Sequence, residues 1–409
     1  MNVRIAVLGM LALVVCSTGF AQNSGLIVGQ DTSRRVITTA VPFLTIAPDA
    51  RSGAMGDAGV AISPDANAIH WNVAKLAFVE NDFGFSLAYT PWLAKIIDDM
   101  SLSYLSGYYK INKLQAVGLS MRYFDLGEIN FTSQTGEPTG DYRPREFQVT
   151  GSYSRILTEN MGIGVSLKFV HSNLTGNVFS STSDAQAAVS IGADIGWYWN
   201  QDIRLFGSPS SIALGATITD IGSKVTYSNE DQKDFIPTNL RIGSALTTSL
   251  DPSNTLTLAL DFNKLMVPTP PVYQMDENGK IMFDNNGNPI ISRGRDPNRP
   301  LLNAMFTSFA DAPDGFPEEM REIMISTGLE YWYKHLFAAR AGYFYEHTTK
   351  GNRKYFTMGV GLRYNVFGID FAYLVPSQQE NPLAETLRFT LHFDFKAGNK
   401  GQSVPEGSF

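Results

Sequence analysis

The stretch FTMGVGLRY, residues 356–364, alternates large apolar side chains with small or polar ones along its whole length. Phe, Met, Val, Leu and Tyr occupy every second position, and Thr, Gly, Gly and Arg stand between them. Successive side chains of a β-strand point to opposite faces of the sheet. The stretch therefore predicts a strand with one greasy face, and its length suits a strand that crosses a membrane at a tilt.

Similar segments recur along the chain from residue 81 onward. We count about fourteen of them, each of roughly 9 to 14 residues, as spanning strands would be. Residues 116–124, 163–169 and 387–395 are the clearest of the others. Alternation alone also fits a soluble β-sandwich, whose sheets have one face on a core and one in water.

The lengths of the connections separate these two folds. Short gaps such as 110–113 alternate with long ones such as 125–145, and 200–209 reads as a gap of intermediate length. Outer-membrane barrels produce this alternation, because their periplasmic turns are short and their outer loops long. We therefore predict an all-β protein, an antiparallel transmembrane β-barrel of about 14 strands with an N-terminal plug. An even strand count would return both termini to the periplasmic side.

The chain begins with the layout of a secretory signal. Arg4 precedes an apolar run, and small residues follow it at 19–21, which predicts a signal peptide over residues 1–21. The single cysteine, Cys16, lies inside this leader, and the bulky Val15 before it disfavours lipoprotein processing. The mature chain is then expected to contain no thiol. We expect a further division into an N-terminal segment with the plug (22–80), a barrel (81–396) with a long outer loop (263–320), and a periplasmic tail (397–409).

The composition of the chain excludes some classes of function. The net charge of −7 and a pI near 5.3 exclude a nucleic-acid-binding surface of the usual basic kind. Charged residues make up only 17% of the chain, below the usual quarter, as a lipid-facing wall requires. Beyond the leader, the sequence contains no apolar run long enough for a spanning helix.

Residues 42–78, just before the first strand, are rich in Ala, Gly, Asp and Asn and lack the two-residue period. Glycines allow close approach of backbones, and Asx side chains satisfy buried polar groups, so the composition suits a plug inside a barrel. The candidate plug residues are Arg51, Gly53, Gly56, Asp57, Asp65, Asn67, Trp71 and Asn72. An ordinary helix-turn leader packed on a soluble domain is the alternative.

Several strands carry charges on their small-residue face. Facing lipid, such charges would be costly, so they are expected to point into the barrel. The candidate lumen network consists of Arg122, Arg241, Arg340, Arg363, Asp370 and Arg388. Arg363 and Asp370 lie equally far from a predicted turn at 366–367 and are expected to pair across one hairpin. We prefer a network that holds the plug to an ion pathway.

The long connection 263–320 carries the most distinctive loop chemistry. Two Asn-Gly motifs, at 278–279 and 286–287, predict hairpin tips, with calcium at Asp284 and Asn286 as the alternative. A short helix is expected over 300–309, with Asn298 as its cap. Its apolar stripe either packs on the barrel rim or forms a partner-binding surface. The stripe consists of Leu301, Leu302, Met305, Phe306 and Phe309.

No catalytic or metal motif emerges. The five histidines are scattered, with no pair at helical spacing, and no nucleophile elbow or phosphate loop is present. We expect a protein that is not an enzyme and has no cofactor or metal.

Residues 53–78, GAMGDAGVAISPDANAIHWNVAKLAF, resemble the N-terminal hatch of FadL-type outer-membrane barrels. The pattern departs from that family at Val73, where Pro is usual, and at Lys75, where Gly is usual. The whole chain, from the leader through PFLTIAPDARSGAMGDAGVA to the terminal strand, is more narrowly similar to the PorV family of type IX secretion proteins.

This narrower resemblance implies a non-enzymatic shuttle in the outer membrane of a Bacteroidetes-like cell. Its implied partners are the giant translocon, secreted cargo with a C-terminal signal domain, the surface attachment complex and outer-membrane lipid. A FadL-like transporter of hydrophobic small molecules is the alternative function. A third hypothesis, a lipid-modifying hydrolase, would need a Ser-His-acid constellation at the outer rim.

Overall fold

The computed structural model describes residues 35–93, 99–132, 137–174, 186–227, 233–277, 280–376 and 386–396. The predicted signal peptide and the predicted tail (397–409) lie outside the described residues. None of the described helices is long and apolar enough to cross a membrane.

In the described part of the chain, fourteen strands form one closed antiparallel barrel. They are β1 (Phe83–Pro91), β2 (Ser101–Asn112), β3 (Gln115–Asp125), β4 (Arg145–Thr158), β5 (Met161–Asn173), β6 (Ala188–Leu205), β7 (Ser208–Gly222), β8 (Asn239–Asp251), β9 (Asn254–Leu265), β10 (Met324–Tyr333), β11 (Phe337–Tyr345), β12 (Lys354–Tyr364), β13 (Phe367–Pro376) and β14 (Leu387–Phe395). Each strand pairs with its neighbours in sequence, and β14 closes on β1 with Phe83 opposite Phe395. The predicted barrel is confirmed.

The outward face of the wall is apolar. Leu167 and Ile191 are 70% and 67% exposed, whereas their neighbours Lys168 and Ser190 are buried. An exposed belt of this kind is stable in lipid and would be costly in water. The alternation read from the sequence therefore reflects lipid outside and a filled interior.

Turns at one end of the barrel contain only two or three residues: 113–114, 159–160, 206–207, 252–253, 334–336 and 365–366. All connections at the other end are longer, and the longest is 266–323. By this asymmetry we assign the short turns to the periplasm and the long connections to the outside. The intermediate gap predicted at 200–209 is wrong, because β6 continues to Leu205. Phe206 and Gly207 both have positive φ (51° and 86°), which closes a two-residue hairpin without splaying the strands.

Outside the barrel, residues 129–132 pair with 138–142, and residues 272–273 pair with 291–293. The helices are short: α1 (Ala50–Gly53), α2 (Ala68–Trp71), α3 (Leu301–Thr307), α4 (Phe316–Arg321) and two 3₁₀ turns at Pro42–Thr45 and Val73–Phe78. In the long connection, Gly287 has a positive φ and its N–H donates to the Asp284 carbonyl, as predicted for a hairpin tip.

The N-terminal segment, residues 40–79, runs through the barrel from its outer to its periplasmic end. Just before it, the Arg35 N–H donates to the carbonyl of Thr349, in an outer loop. At its far end, Lys110 at the periplasmic end of β2 donates to the Val79 carbonyl (2.6 Å). The first and last strands do begin and end at the periplasmic end, as expected. Arg35, the first described residue, lies at the opposite end, because the chain crosses the lumen before β1 begins.

Candidate functional site

Glycines on the inward faces of the strands let the N-terminal segment lie directly against the barrel wall. A Cβ added to Gly342 would overlap the backbone of Met55, and one added to Gly164 would lie 2.7 Å from the backbone of Ala74. Larger side chains at these two positions would displace the segment. The small inward residues of the strands thus make the space that the N-terminal segment fills in the lumen.

The structure encloses the eight candidate plug residues in this segment. Two are half-buried (Asp57 and Asp65), and the other six are buried (Arg51, Gly53, Gly56, Asn67, Trp71 and Asn72). Trp71 donates its indole N–H to Asp49 at 2.6 Å, and Asn72 donates to the carbonyl of Trp197 on β6 at 2.9 Å. Asn67 accepts a hydrogen bond from Ser106 on β2. These bonds satisfy polar groups that burial would otherwise leave unpaired.

A chain of ion pairs ties the segment to the wall. Arg51 of α1 donates to both carboxylate oxygens of Glu330, at 2.9 and 2.8 Å, and also pairs with Asp65 at 3.1 Å. Arg340, opposite Glu330 across β10 and β11, donates to the same carboxylate at 2.7 Å. One buried carboxylate therefore holds two guanidinium groups, one from the segment and one from the barrel.

The same chain of ion pairs continues onto β12, β13 and β14. Asp370 accepts hydrogen bonds from Arg340 (2.8 Å) and Arg363 (2.6 Å), and His392 Nε2 lies 2.8 Å from it. The predicted pairing of Arg363 with Asp370 is confirmed, although the turn lies at 365–366 and not at 366–367. Because the turn is shifted by one residue, Asp370 lies opposite Gly361 and diagonal to Arg363. Gly361 has no side chain, so it does not block the contact between the two charged groups.

The remaining candidate lumen residues are not part of this chain of ion pairs. Arg388 pairs with Asp57 of the segment at 2.9 Å, and Tyr355 donates to the same carboxylate at 2.6 Å. Arg122 donates to the carbonyls of Phe43 and Leu44, at 3.0 and 2.9 Å. These contacts also hold the segment to the wall.

Arg241 is the exception. Its guanidinium lies 5.1 Å above the ring of Trp71, and it has no hydrogen bond to another described residue. The structure therefore does not join it to the other candidate lumen residues.

Sequence reasoning missed two important side chains of the lumen. Glu330 lies on the small-residue face of β10, yet nothing in a single sequence marked it as the centre of a network. Lys75, where FadL-type hatches usually have Gly, donates to the carbonyls of Gly59 and Ile62 at 2.6 and 3.2 Å. It thereby ties two turns of the segment together.

A second group of charges fixes the long connection to the outer rim, and we call it the loop ion cluster. Its members are Arg35, Lys264, Glu318, Glu319, Glu322 and Lys350. Lys350 contacts Glu318 (2.7 Å) and Glu322 (2.8 Å), and Lys264 contacts Glu319 (3.0 Å). With three cations and three carboxylates, the cluster is balanced, which offsets the cost of its burial. No pattern in the sequence predicted this cluster, because its members come from four separate stretches.

The loop ion cluster is expected to weaken in acid. Burial raises the pKa of Glu318, but hydrogen bonds donated by Arg35 and Lys350 outweigh it and lower that pKa from 4.5 to about 2. A depressed carboxyl pKa stabilises the fold above pH 4.5, and this contribution is lost as the pH falls toward 2. We expect amides around α4 to exchange hydrogen faster in a Glu318→Gln variant than in wild type at neutral pH. The ratio of the two rates should approach one between pH 4.5 and 2.

Comparing variant and wild type at each pH cancels the intrinsic pH dependence of exchange. Amides of the tight turn 159–160, far from Glu318, serve as the internal control and should show a ratio of one throughout. A ratio around α4 that does not change with pH would contradict the assigned pKa.

The five candidate partner-binding residues divide between two environments. Met305 is buried, and Leu301 packs on a cluster of Phe235, Val267 and Ala304. These two residues anchor α3 to the protein, as the packing alternative predicted for the stripe. Leu302, Phe306 and Phe309 remain 62%, 71% and 43% exposed, and we call these three the loop patch.

The predicted cap of this helix is also wrong. The helix starts at Leu301, and Pro300 occupies the N-cap position without a side-chain hydrogen bond. Asn298 lies too early to cap it and accepts instead from Lys224 at 3.4 Å.

Among the residues that the structure describes, no group of three or more His, Cys, Asp or Glu side chains is placed to hold a metal ion. Asp284, the candidate calcium ligand, accepts from the backbone N–H groups of Asn286 and Asn288, both at 2.8 Å. Its carboxylate closes the turn.

Comparison with known proteins gives one family. The family model described as "Type IX secretion system protein PorV" matches residues 29–272. No curated protein matches the chain.

Several solved structures are similar to the chain at low identity. The Ralstonia pickettii toluene transporter TbuX shares 14% identity over 85% of this chain and 98% of its own, with a TM-score of 0.45. The Pseudomonas putida toluene transporter TodX shares 13% over 84% and 96%, with a TM-score of 0.46. A Pseudomonas aeruginosa FadL homologue shares 13% over 88% and 100%, with a TM-score of 0.43.

Proposed function

We propose, from the premise that this chain belongs to the PorV family of type IX secretion proteins, that it binds secreted cargo at the translocon and carries it to the surface attachment complex. Family membership makes the protein an outer-membrane component of type IX secretion. The proposal adds the step that it performs: recognition of the C-terminal signal domain of cargo and movement with it in the membrane.

The loop patch is the observation that carries this proposal. Leu302 and Phe306 lie one helical turn apart on α3 and are mostly exposed at the outer end of the barrel. Exposed apolar groups on a firmly held element are typical of protein–protein contact sites. Met305 and the loop ion cluster hold this region in place, so little ordering would be needed on binding.

The filled lumen favours cargo binding over the FadL-like alternative. A transporter of hydrophobic molecules needs an apolar path, but the buried ion pairs of Arg51, Glu330 and Arg340 lie inside this barrel. Moving the segment aside would break the ion pair of Arg51 with Glu330 in a poorly solvated interior. The proposed roles of the segment are therefore to close the lumen and to stiffen the barrel.

Deletion of the gene tests the proposal directly. We expect proteins with type IX signals to disappear from the cell surface and to accumulate inside the outer membrane, while other outer-membrane barrels stay at normal levels. Expression of the wild-type gene from a plasmid should restore display. Normal surface display in the deletion strain would refute the shuttle role, and loss of uptake of a hydrophobic compound with normal display would favour the FadL-like alternative.

A further inference from the structure

A small cavity lies between the N-terminal segment and the inward faces of β8 and β9. Its volume is about 60 Å³. Asn239 and Arg241 of β8 and Asn263 of β9 line it, and Trp71 of the segment forms another side. Arg241 and Asn263 lie directly opposite each other in the register of the two strands. The position combines groups that hydrogen-bond strongly with a space large enough for a carboxylate.

Arg241 has an unpaired guanidinium nitrogen in this cavity. The residue is only 5% exposed, and its Nη1 has no hydrogen-bond partner. Every other buried lysine or arginine in the described part of the chain donates to a carboxylate or a carbonyl. They are Arg51, Lys75, Arg122, Lys168, Lys264, Arg340, Lys350 and Arg388.

Two carboxylates lie near the cavity, and neither forms an ion pair with Arg241. Asp57 also lines the cavity, but Arg388 and Tyr355 hold its two oxygens. Asp261, two residues before Asn263 on β9, turns one oxygen to the backbone N–H groups of the segment at positions 59 and 60, at 2.7 and 2.9 Å. Its other oxygen has no hydrogen-bond partner, and no ion pair joins it to Arg241. Arg241 therefore keeps a free guanidinium nitrogen in the cavity, which an anionic group of a ligand would satisfy.

Two unpaired hydrogen-bond acceptors further restrict the kind of ligand that fits the cavity. The side-chain oxygens of Asn239 and Asn263 are buried and have no hydrogen-bond partner. A ligand that satisfies the whole site must therefore bring both an anionic group for Arg241 and a donor for the amide oxygens. The last residue of a peptide brings both, as its carboxylate and its backbone N–H. An aliphatic acid brings only the carboxylate.

A second cavity lies on the outer side of the small one. Its volume is about 430 Å³, and it shares four lining residues with the small cavity: Thr45, Leu265, Met324 and Arg353. Its outer walls include Val36 and Pro42 and the rim residue Lys350. The small cavity admits only an end group, whereas the larger one accommodates the residues that precede it.

We propose that Arg241, Asn239 and Asn263 form a receptor for the free C-terminus of an extended peptide that enters from the outer side. The guanidinium binds the terminal carboxylate, and the two amide oxygens accept the last backbone N–H. The geometry by itself specifies a peptide C-terminus. That the peptide is the end of a cargo signal domain rests on the proposed function.

The test is a binding measurement on the full mature chain in lipid nanodiscs. The probes are a short peptide that matches the last residues of a cargo signal domain, the same peptide with a C-terminal amide, and dodecanoate. A charged hydrogen bond of this kind implies that the amide binds at least about tenfold more weakly than the acid. Arg241→Gln should abolish this preference, and Arg241→Lys should retain part of it.

Controls keep the outcome interpretable. Arg155→Gln removes an exposed arginine outside the cavity and should leave the preference intact. Heat-modifiable migration in gels establishes that each variant barrel is folded. Equal binding of acid and amide to wild type, or a preference that survives Arg241→Gln, would overturn the proposal. So would a failure of both peptides to bind, which would mean that water fills the cavity, or tighter binding of dodecanoate than of the peptide acid.

This experiment separates the inference from the shuttle proposal. If the peptide acid fails to bind but deletion of the gene still abolishes cargo display, the receptor is wrong and the shuttle role stands. If deletion leaves display normal but the acid still binds through Arg241, the receptor stands with a peptide of another origin.

Discussion

Replacement of Glu330 by Gln is expected to destabilise the barrel by about 3 kcal/mol or more, because it removes the shared counter-ion of two buried guanidinium groups. Arg51 and Arg340 approach this carboxylate at 2.7 to 2.9 Å, and all three side chains are buried. Each arginine keeps a second carboxylate, Asp65 or Asp370, so the fold is expected to survive. The measurement is the free energy of unfolding in urea, with heat-modifiable gel migration used to monitor the folded fraction.

A matched control is available for this variant. Glu159→Gln makes the same chemical change in an exposed periplasmic turn and should alter stability by less than about 0.5 kcal/mol. Combining Glu330→Gln with Arg51→Gln should recover part of the loss, since the excess buried positive charge left by Glu330→Gln is then removed as well. Equal stability of wild type and Glu330→Gln would mean that the ion chain does not hold the segment.

Replacement of Leu302 and Phe306 by Glu is expected to reduce cargo display at the cell surface by about tenfold or more. Central apolar contacts of protein interfaces commonly contribute 2 kcal/mol or more each, and a charge at such a position also repels the apolar surface of the partner. Both side chains are exposed, so the substitutions should leave the fold intact. The measurement is surface labelling of a type IX cargo protein in cells that produce the variant at wild-type levels.

Phe206 provides the control for this prediction. It is 85% exposed but lies in a turn at the periplasmic end, so Phe206→Glu makes the same change at the wrong end of the molecule. Its effect on display should be small. Normal display by the Leu302/Phe306 variant would exclude the loop patch as the docking surface, whereas equal losses in both variants would point to a general defect.

Contacts within one hairpin could be anticipated from the sequence, and long-range contacts could not. Arg363 and Asp370 are separated by a single turn, so strand alternation and turn length were enough to predict their pairing. Arg51 and Glu330 are far apart in sequence, and no periodicity links them. The loop helix shows the same limit, because its apolar pattern could not reveal that Met305 would be buried and Phe306 exposed.

The chain's own sequence determined the architecture: a closed antiparallel barrel, apolar outside, with short turns at one end and long loops at the other. This information is local, since strand alternation and turn residues act over a few positions. Only the tertiary structure decided which inward charges pair, that Lys75 bridges two turns, that Arg35 lies at the outer end, and that Arg241 forms no ion pair with another described residue. These features depend on how the N-terminal segment crosses the lumen, where burial and distance between residues remote in sequence set the energy of every charge.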